Sequence, residues 1–178
     1  PLSGAMDKYA FYLANWLVRN DKNEGQIETI FPGLEIEFLS NTTFSVTGAN
    51  MTPLLNGTEI SNWKAYRAKK GERLSLSKIV SGTRSYISFS GGFRIGPQLN
   101  GMSTYIPGNL GGYRGRELRA GDVIPMFPGM PFILRDRVIP IEQIPDYNNM
   151  VVLRVLEGVN FDLFSTDAID NLVTKEYI

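Results

Sequence analysis

The 178 residues contain no cysteine and no histidine. These two absences remove disulfides, thiolate nucleophiles, zinc sites of the Cys/His kind and every triad that relies on imidazole. Any chemistry is left to Asp, Glu, Lys, Arg, Tyr, Ser, Thr or backbone groups. A charge excess is missing too: Lys+Arg and Asp+Glu are both 18, so no global field draws the chain to nucleic acid or an anionic membrane. No apolar run approaches the roughly 20 residues of a membrane span, and the first residues lack a charged, apolar, small-residue leader pattern. The expectation is a soluble, cytoplasmic protein, and zero cysteine agrees with a reducing compartment. Three sequons, at Asn41, Asn50 and Asn56, fall in turn-like sequence where Asn and Thr are expected anyway.

What is plentiful is glycine. Residues 81–122 hold ten glycines together with Arg84, Arg94, Arg114, Arg116 and Arg119. Such a backbone turns repeatedly and can approach a ligand or another chain closely. The guanidinium forks suit carboxylate, phosphate or carbonyl oxygens. All-β folds also use glycine freely at turns and bulges, so the composition alone leaves both readings open.

Along the chain, Ala10, Phe11, Leu13, Ala14, Leu17 and Val18 recur at helical spacing, with Asp7 placed to cap the first turn and Asn20 to end the last. The apolar stripe predicts a helix covering an open end of a sheet. The period then changes to two. Leu34, Ile36 and Phe38 alternate with glutamates, and Phe44 and Val46 alternate with Ser45 and Thr47, which reads as strands with one buried face. Asn56-Gly57 between apolar pairs is a two-residue hairpin signal. Strands are also expected at Trp63–Tyr66, at Arg73–Leu76 after a turn over 69–72, and at Arg84–Phe89. In the last of these Tyr86, Ser88 and Ser90 share one face and Ile87 and Phe89 the other, and Gly91-Gly92 ends it. Short strands at this spacing indicate a barrel or sandwich.

Gly111 to Gly115 superficially suggests a phosphate loop. It does not clearly join a strand to a helix, and no Gly-Lys-Ser/Thr follows, so a nucleotide motif is not supported. Glu117 to Asp122 reads as a strand end and turn. Four prolines between Phe127 and Tyr147 break any regular element. Met150 to Glu157 reads as an apolar strand, and Ser165 or Thr166 caps a short helix through Leu172.

Several segments then resemble one family in shared order and spacing. They are residues 3–7 (Ser-Gly-Ala-Met-Asp), 13–18 (Leu-Ala-Asn-Trp-Leu-Val), Glu28-Thr29, 47–49 (Thr-Gly-Ala), 81–86 (Ser-Gly-Thr-Arg-Ser-Tyr), Gly91-Gly92, 103–105 (Ser-Thr-Tyr), Gly111-Gly112, and Gly115-Arg116 through 120–122 (Ala-Gly-Asp). The chain resembles the carboxyltransferase-like proteins that include the C-type 5-oxoprolinase subunit, KipA and the so-called allophanate hydrolase subunit 2, related to a domain of urea amidolyase. The resemblance implies a mainly β fold, a cyclophilin-like β-barrel with one or two flanking helices. Residues 1–127 would form the barrel lobe, 128–149 a proline-rich linker and 150–178 the start of a second lobe, making the chain a part of a larger protein.

The family's activity would be ATP-dependent opening of 5-oxo-L-proline to L-glutamate, together with a KipI-like (B-type) 5-oxoprolinase partner and an A-type one. Two alternatives stand beside it: a KipA-like regulator that binds an inhibitor of a sensor histidine kinase, and a urea or amide carboxyltransferase using carboxybiotin. Opening an amide needs its carbonyl polarised and the resulting oxyanion stabilised. Arg84 and Arg116 are the candidates for that charge or for a substrate carboxylate; a structural ion pair with Glu117 or Asp122 is the competing role. Tyr86, Ser103, Thr104, Tyr105, Gly111 and Gly112 are the candidate substrate contacts, although hydroxyl clusters commonly satisfy their own loop backbone. ATP would be bound by or shared with a partner, since no motif for it is visible. Biotin enters by analogy only, because no Ala-Met-Lys-Met attachment site is present.

Overall fold

The computed structural model describes residues 4–98, 100–129, 137–147 and 152–176. Helix α1 (Lys8–Leu17) is followed by strands β1 (Ile27–Ile30), β2 (Glu35–Glu37), β3 (Thr42–Asn50), β4 (Pro53–Leu55), β5 (Thr58–Glu59), β6 (Lys64–Ala68), β7 (Arg73–Leu76) and β8 (Ser81–Phe89). Helix α2 (Thr166–Thr174) lies near the end of the chain. The fold is mainly β, as expected. Its strands divide into two antiparallel four-stranded sheets, ordered β1-β8-β3-β6 and β2-β7-β4-β5.

The hairpin signal is realised in β4 and β5, which are joined through Asn56 (φ 51°) and Gly57 (φ 79°), both in the left-handed region. The main core gathers side chains from both sheets, including Phe38, Phe44, Val46, Leu74, Leu76, Ile87 and Phe89. Phe38 and Phe44 bring their rings to 5.1 Å. A second apolar cluster joins Ala10, Ala14 and Leu17 of α1 to Trp63, Ala65, Tyr86 and Ile139.

The expectation that β3 buries one face and that α1 covers the open end of a sheet is corrected here. Helix α1 lies across β3 and β8, so both faces of β3 are buried, Ser45 and Thr47 fully. The Ser45 hydroxyl donates to the Ala14 carbonyl (2.8 Å), and the Thr47 hydroxyl donates to the Ala10 carbonyl (2.7 Å). Hydroxyls survive at these buried positions because each has a helix carbonyl as acceptor. On β8 the expected alternation holds: Ile87 and Phe89 enter the main core, while Tyr86 and Ser88 face α1, the latter donating to Asn15 at 2.6 Å.

Other expectations shift in detail. Asp7 does cap α1, its Oδ1 accepting the Ala10 N–H at 3.0 Å. Asn20 closes the end of α1 as expected, its backbone N–H donating to the Asn15 carbonyl (3.0 Å) just after Arg19 in the left-handed region (φ 62°). Its side chain also fastens the end of β8: its amide donates to the Phe89 carbonyl (2.8 Å), and its oxygen accepts the Gly91 N–H (2.9 Å). Residues 117–122 contain the turn, closed by the Asp122 N–H to the Arg119 carbonyl (3.0 Å), but no strand. Residues 152–157 form no strand either and are exposed, because no described strand offers them the partner a ladder requires; Met150 and Val151 lie outside the described residues. Ser165 caps α2 as expected.

Residues 137–147 hold one 3-10 turn at Ile141–Gln143 and one antiparallel bridge from Val138 to Lys64, and they are firmly packed. The Ala65 N–H donates to the Arg137 carbonyl (2.8 Å) and the Ile139 N–H to the Trp63 carbonyl (2.9 Å), extending the β6 edge. The segment then straps α1. The Arg137 guanidinium stacks 3.8 Å over the Trp16 ring and donates to the Trp16 carbonyl, and the Tyr9 hydroxyl donates to the Gln143 carbonyl (2.8 Å).

Candidate functional site

The entrance to α1 is where polar side chains from distant parts of the sequence converge. The backbone of residues 4–7 crosses the β1–β8 pair, in which Glu28 stands opposite Tyr86. The Met6 N–H donates to Glu28 Oε2 (3.3 Å) and the Asp7 N–H to the Tyr86 hydroxyl (2.8 Å). Arg84 reaches Glu28 Oε1 through one guanidinium nitrogen at 3.3 Å. From the strap, the Tyr147 hydroxyl donates to Asp7 Oδ2 at 2.6 Å, while its ring stacks on Trp63.

Both tyrosines keep their protons. Burial pushes the Tyr86 phenol well above its usual range; the Asp7 N–H opposes this and the neighbouring Glu28 carboxylate adds to it. Burial likewise raises the Tyr147 phenol, reinforced by its bond to Asp7. Tyr86 therefore accepts from the Asp7 backbone as a protonated phenol opposite Glu28. The Arg84 and Glu28 side chains are 26% and 33% exposed, so the outer end of this cluster meets solvent while its inner end is buried.

The hydroxyl and glycine candidates share one compact loop beside it. Tyr105 and Leu110 exchange backbone hydrogen bonds (2.7 and 3.2 Å) around a 3-10 turn at Ile106–Gly108, and the Gly111 N–H donates to Gln98 Oε1 (2.8 Å). Gly111 and Gly112, at φ 69° and 52°, lie so close to Ser103 and Thr104 that a Cβ on either would overlap them. Ser103 in turn faces Gly4, with its Oγ 3.9 Å from where a Gly4 Cβ would stand. Residues 4–7 thus run from the Ser103 loop to the Glu28–Tyr86 pair.

Arg116 sits apart. It forms a two-pronged pair with Asp122 (2.8 Å for both bonds) and donates to the Glu117 carbonyl (2.7 Å). Its guanidinium holds the Asp122 carboxyl well below the usual carboxylate range, helped by the Arg119 N–H. The ring of Tyr113 lies 5.8 Å from the same guanidinium. The competing role written in the sequence, a structural ion pair with Asp122, is therefore what Arg116 performs. Gly111 and Gly115 meet the chain's own carbonyls of Ser103 and Asn109, and the Gly115 N–H donates to the Gly111 carbonyl (2.9 Å). This loop is filled by itself and does not fit as a phosphate cradle.

A separate open cleft of about 610 Å³ is lined by Asp21, Glu24, Phe93, Arg94, Met102 and Phe127 among others, and none of the sequence-predicted site residues faces it. The residues that sequence reasoning missed are Glu28 and Tyr147. Glu28 was visible only as part of a motif, and Tyr147 lies 140 positions from Asp7 in a proline-broken stretch with no periodic signal.

Residues 1–178 match the model of the family described as "Carboxyltransferase domain, subdomain A and B". The chain belongs to this carboxyltransferase-domain family. It is 41% identical to urea amidolyase of Saccharomyces cerevisiae over 124 residues, covering 70% of this chain and 7% of that protein. To the C-type 5-oxoprolinase subunit of Escherichia coli it is 35% identical over 125 residues, 69% of this chain and 40% of that protein. Among solved structures it is similar to the urea carboxylase of Kluyveromyces lactis, with a TM-score of 0.76 and 32% identity over 84% of this chain and 14% of that one. This carboxyltransferase-domain chain thus spans less than half the length of these relatives. Among its described residues no helix is long and apolar enough to cross a membrane.

Proposed function

We propose that this chain contributes one lobe of a 5-oxoprolinase-type amidohydrolase, which opens 5-oxo-L-proline to L-glutamate together with ATP-using partner subunits. The observation that carries the reading is the half-engaged Arg84. It meets Glu28 through a single, long contact and stays partly exposed, leaving guanidinium donors available for a ligand. An Arg fork of this kind suits the carboxylate that distinguishes 5-oxo-L-proline from a plain lactam. The Ser103 hydroxyl lies beside Gly4, with Thr104 next to it in the loop, and these hydroxyls would hydrogen-bond the ring amide. Tyr105, Gly111 and Gly112 shape the loop that presents them. Tyr86 is fully buried and acts through Glu28 rather than on substrate. Arg116 serves the loop through Asp122.

In the reaction, water's oxygen bonds to the lactam carbonyl carbon, the ring C–N bond breaks, and the nitrogen leaves as the amine after gaining a proton. The nearby hydroxyls and backbone N–H groups would stabilise the transient oxyanion. ATP, cleaved to ADP and phosphate with a second water, would supply the driving force for opening the lactam and is assigned to the KipI-like or the A-type partner, since the glycine loop here is closed on itself. The full-length protein, assembled with those partners and given ATP and 5-oxo-L-proline, should release glutamate. Biotin-dependent carboxylation of urea by that assembly, without glutamate formation, would refute the proposal.

A further inference from the structure

A continuous line of contacts leads from the strap to the exposed arginine. Tyr147 donates to Asp7 Oδ2 (2.6 Å); the Asp7 N–H donates to the Tyr86 hydroxyl (2.8 Å); Tyr86 stands opposite Glu28 across the β1–β8 ladder; and Glu28 holds Arg84 at 3.3 Å. Each link constrains the next. Asp7 is held by both of its side-chain oxygens, one by the helix cap and one by Tyr147, which anchors the N-cap backbone whose N–H meets Tyr86. That N–H occupies an acceptor site on the Tyr86 oxygen, and Tyr86 stands directly opposite Glu28 on the neighbouring strand. Glu28 then has one oxygen on the Met6 N–H and the other on Arg84. The inner links of this path, at Tyr147, Asp7 and Tyr86, are part-buried, so rotation there breaks a bond shielded from water, while the Glu28 and Arg84 end meets solvent.

We infer that Tyr147 is a positioning residue for Arg84: from the strap it sets, through Asp7, Tyr86 and Glu28, the orientation of the guanidinium offered to a substrate carboxylate. The inference rests on the function proposed above for the choice of ligand, but not for the coupling itself. The strap is well suited to the task. Its Trp63 contact fixes the Tyr147 ring from below, and its Arg137 and Tyr9 contacts fasten it to the other end and outer face of α1 independently of Asp7. Segment 137–147 is thus a part of the site, although it lies well away from Arg84 in sequence.

The test uses the full-length protein assembled with its partners. Tyr147→Phe removes one hydroxyl and keeps the ring on Trp63. It should raise the KM for 5-oxo-L-proline about three- to tenfold with kcat nearly unchanged, since a carboxylate-binding contact is weakened in ground and transition states alike. In parallel, the Nε–H resonance of Arg84, assigned by its loss in Arg84→Lys, should move in Tyr147→Phe. Tyr9→Phe is the control. It removes the other hydroxyl bond from α1 to the strap, to Gln143, and should leave KM and the Arg84 resonance where they were. An unmoved resonance in Tyr147→Phe, or equal shifts in both variants, overturns the inference. Absence of glutamate formation by the wild-type assembly with the resonance still moving refutes the proposed function and leaves the coupling standing.

Discussion

Two arginines from the same glycine-rich stretch end in opposite circumstances. Arg116 spends both terminal nitrogens on Asp122 and adds the Glu117 carbonyl, all within six residues of itself. Arg84 touches a carboxylate 56 positions away through one nitrogen at 3.3 Å, on a strand whose neighbour Tyr86 is fully buried. Local sequence neighbours take both terminal nitrogens of the first and hold a loop closed. The second has a single carboxylate contact and donors to spare. An arginine's availability is therefore read from what its fork already holds, not from the glycine density around it.

The sharpest way to break the comparison is to delete each guanidinium. Arg84→Ala should lower kcat/KM for 5-oxo-L-proline about ten- to a hundredfold, mostly through KM, as expected for losing a charged hydrogen-bonded contact. Arg116→Ala should change it by less than about threefold. Steady-state kinetics of the assembled protein decide the matter, and similar losses in both variants would erase the distinction.

Next in size is the support behind Arg84. Tyr86→Phe leaves the Asp7 N–H without its acceptor in a buried setting and should cost about 1–3 kcal/mol in unfolding free energy, measured by urea titration. A change near zero would mean that water replaces the hydroxyl.

The Arg116–Asp122 pair has a pH signature of its own. Its native Asp122 carboxyl titrates below the usual range, so the stability it contributes is present above the unfolded-state value of about 3.9 and is lost as pH falls below it. The difference in melting temperature between wild type and Asp122→Asn should be constant from pH 7 to about 5 and shrink below about 4. A difference that instead grows on acidification would reverse the assigned sign.

The smallest effect belongs to Arg73, whose contacts to Glu35 (3.0 Å) and Glu37 (3.1 Å) join side chains that are each about half exposed or more. Arg73→Ala should change stability by less than about 1 kcal/mol in the same urea titration.

Much of the fold was legible because it is written in short-range patterns. The α1 stripe, the Asn56-Gly57 turn and the Tyr86/Ile87 alternation each depend on residues a few positions apart. The buried Ser45 and Thr47 were misread as a polar face because a sheet face covered by a helix through hydroxyl–carbonyl bonds has the same period as one covered by water. The apolar character of residues 152–157 signals burial but cannot supply a strand partner. At the site, Arg84 and Tyr86 were found as residue types, whereas Glu28 and Tyr147 matter through contacts spanning 56 and 140 positions. No periodicity encodes those.

The central claim is that Arg84 presents its fork to a substrate carboxylate. It is tested most directly by comparing 5-oxo-L-proline with 2-pyrrolidinone, the same lactam without the carboxylate, in the assembled wild type and in Arg84→Ala. The wild type should prefer 5-oxo-L-proline in kcat/KM by at least about tenfold, and Arg84→Ala should bring the two substrates to near equality. A preference that survives the loss of Arg84 intact would contradict the account.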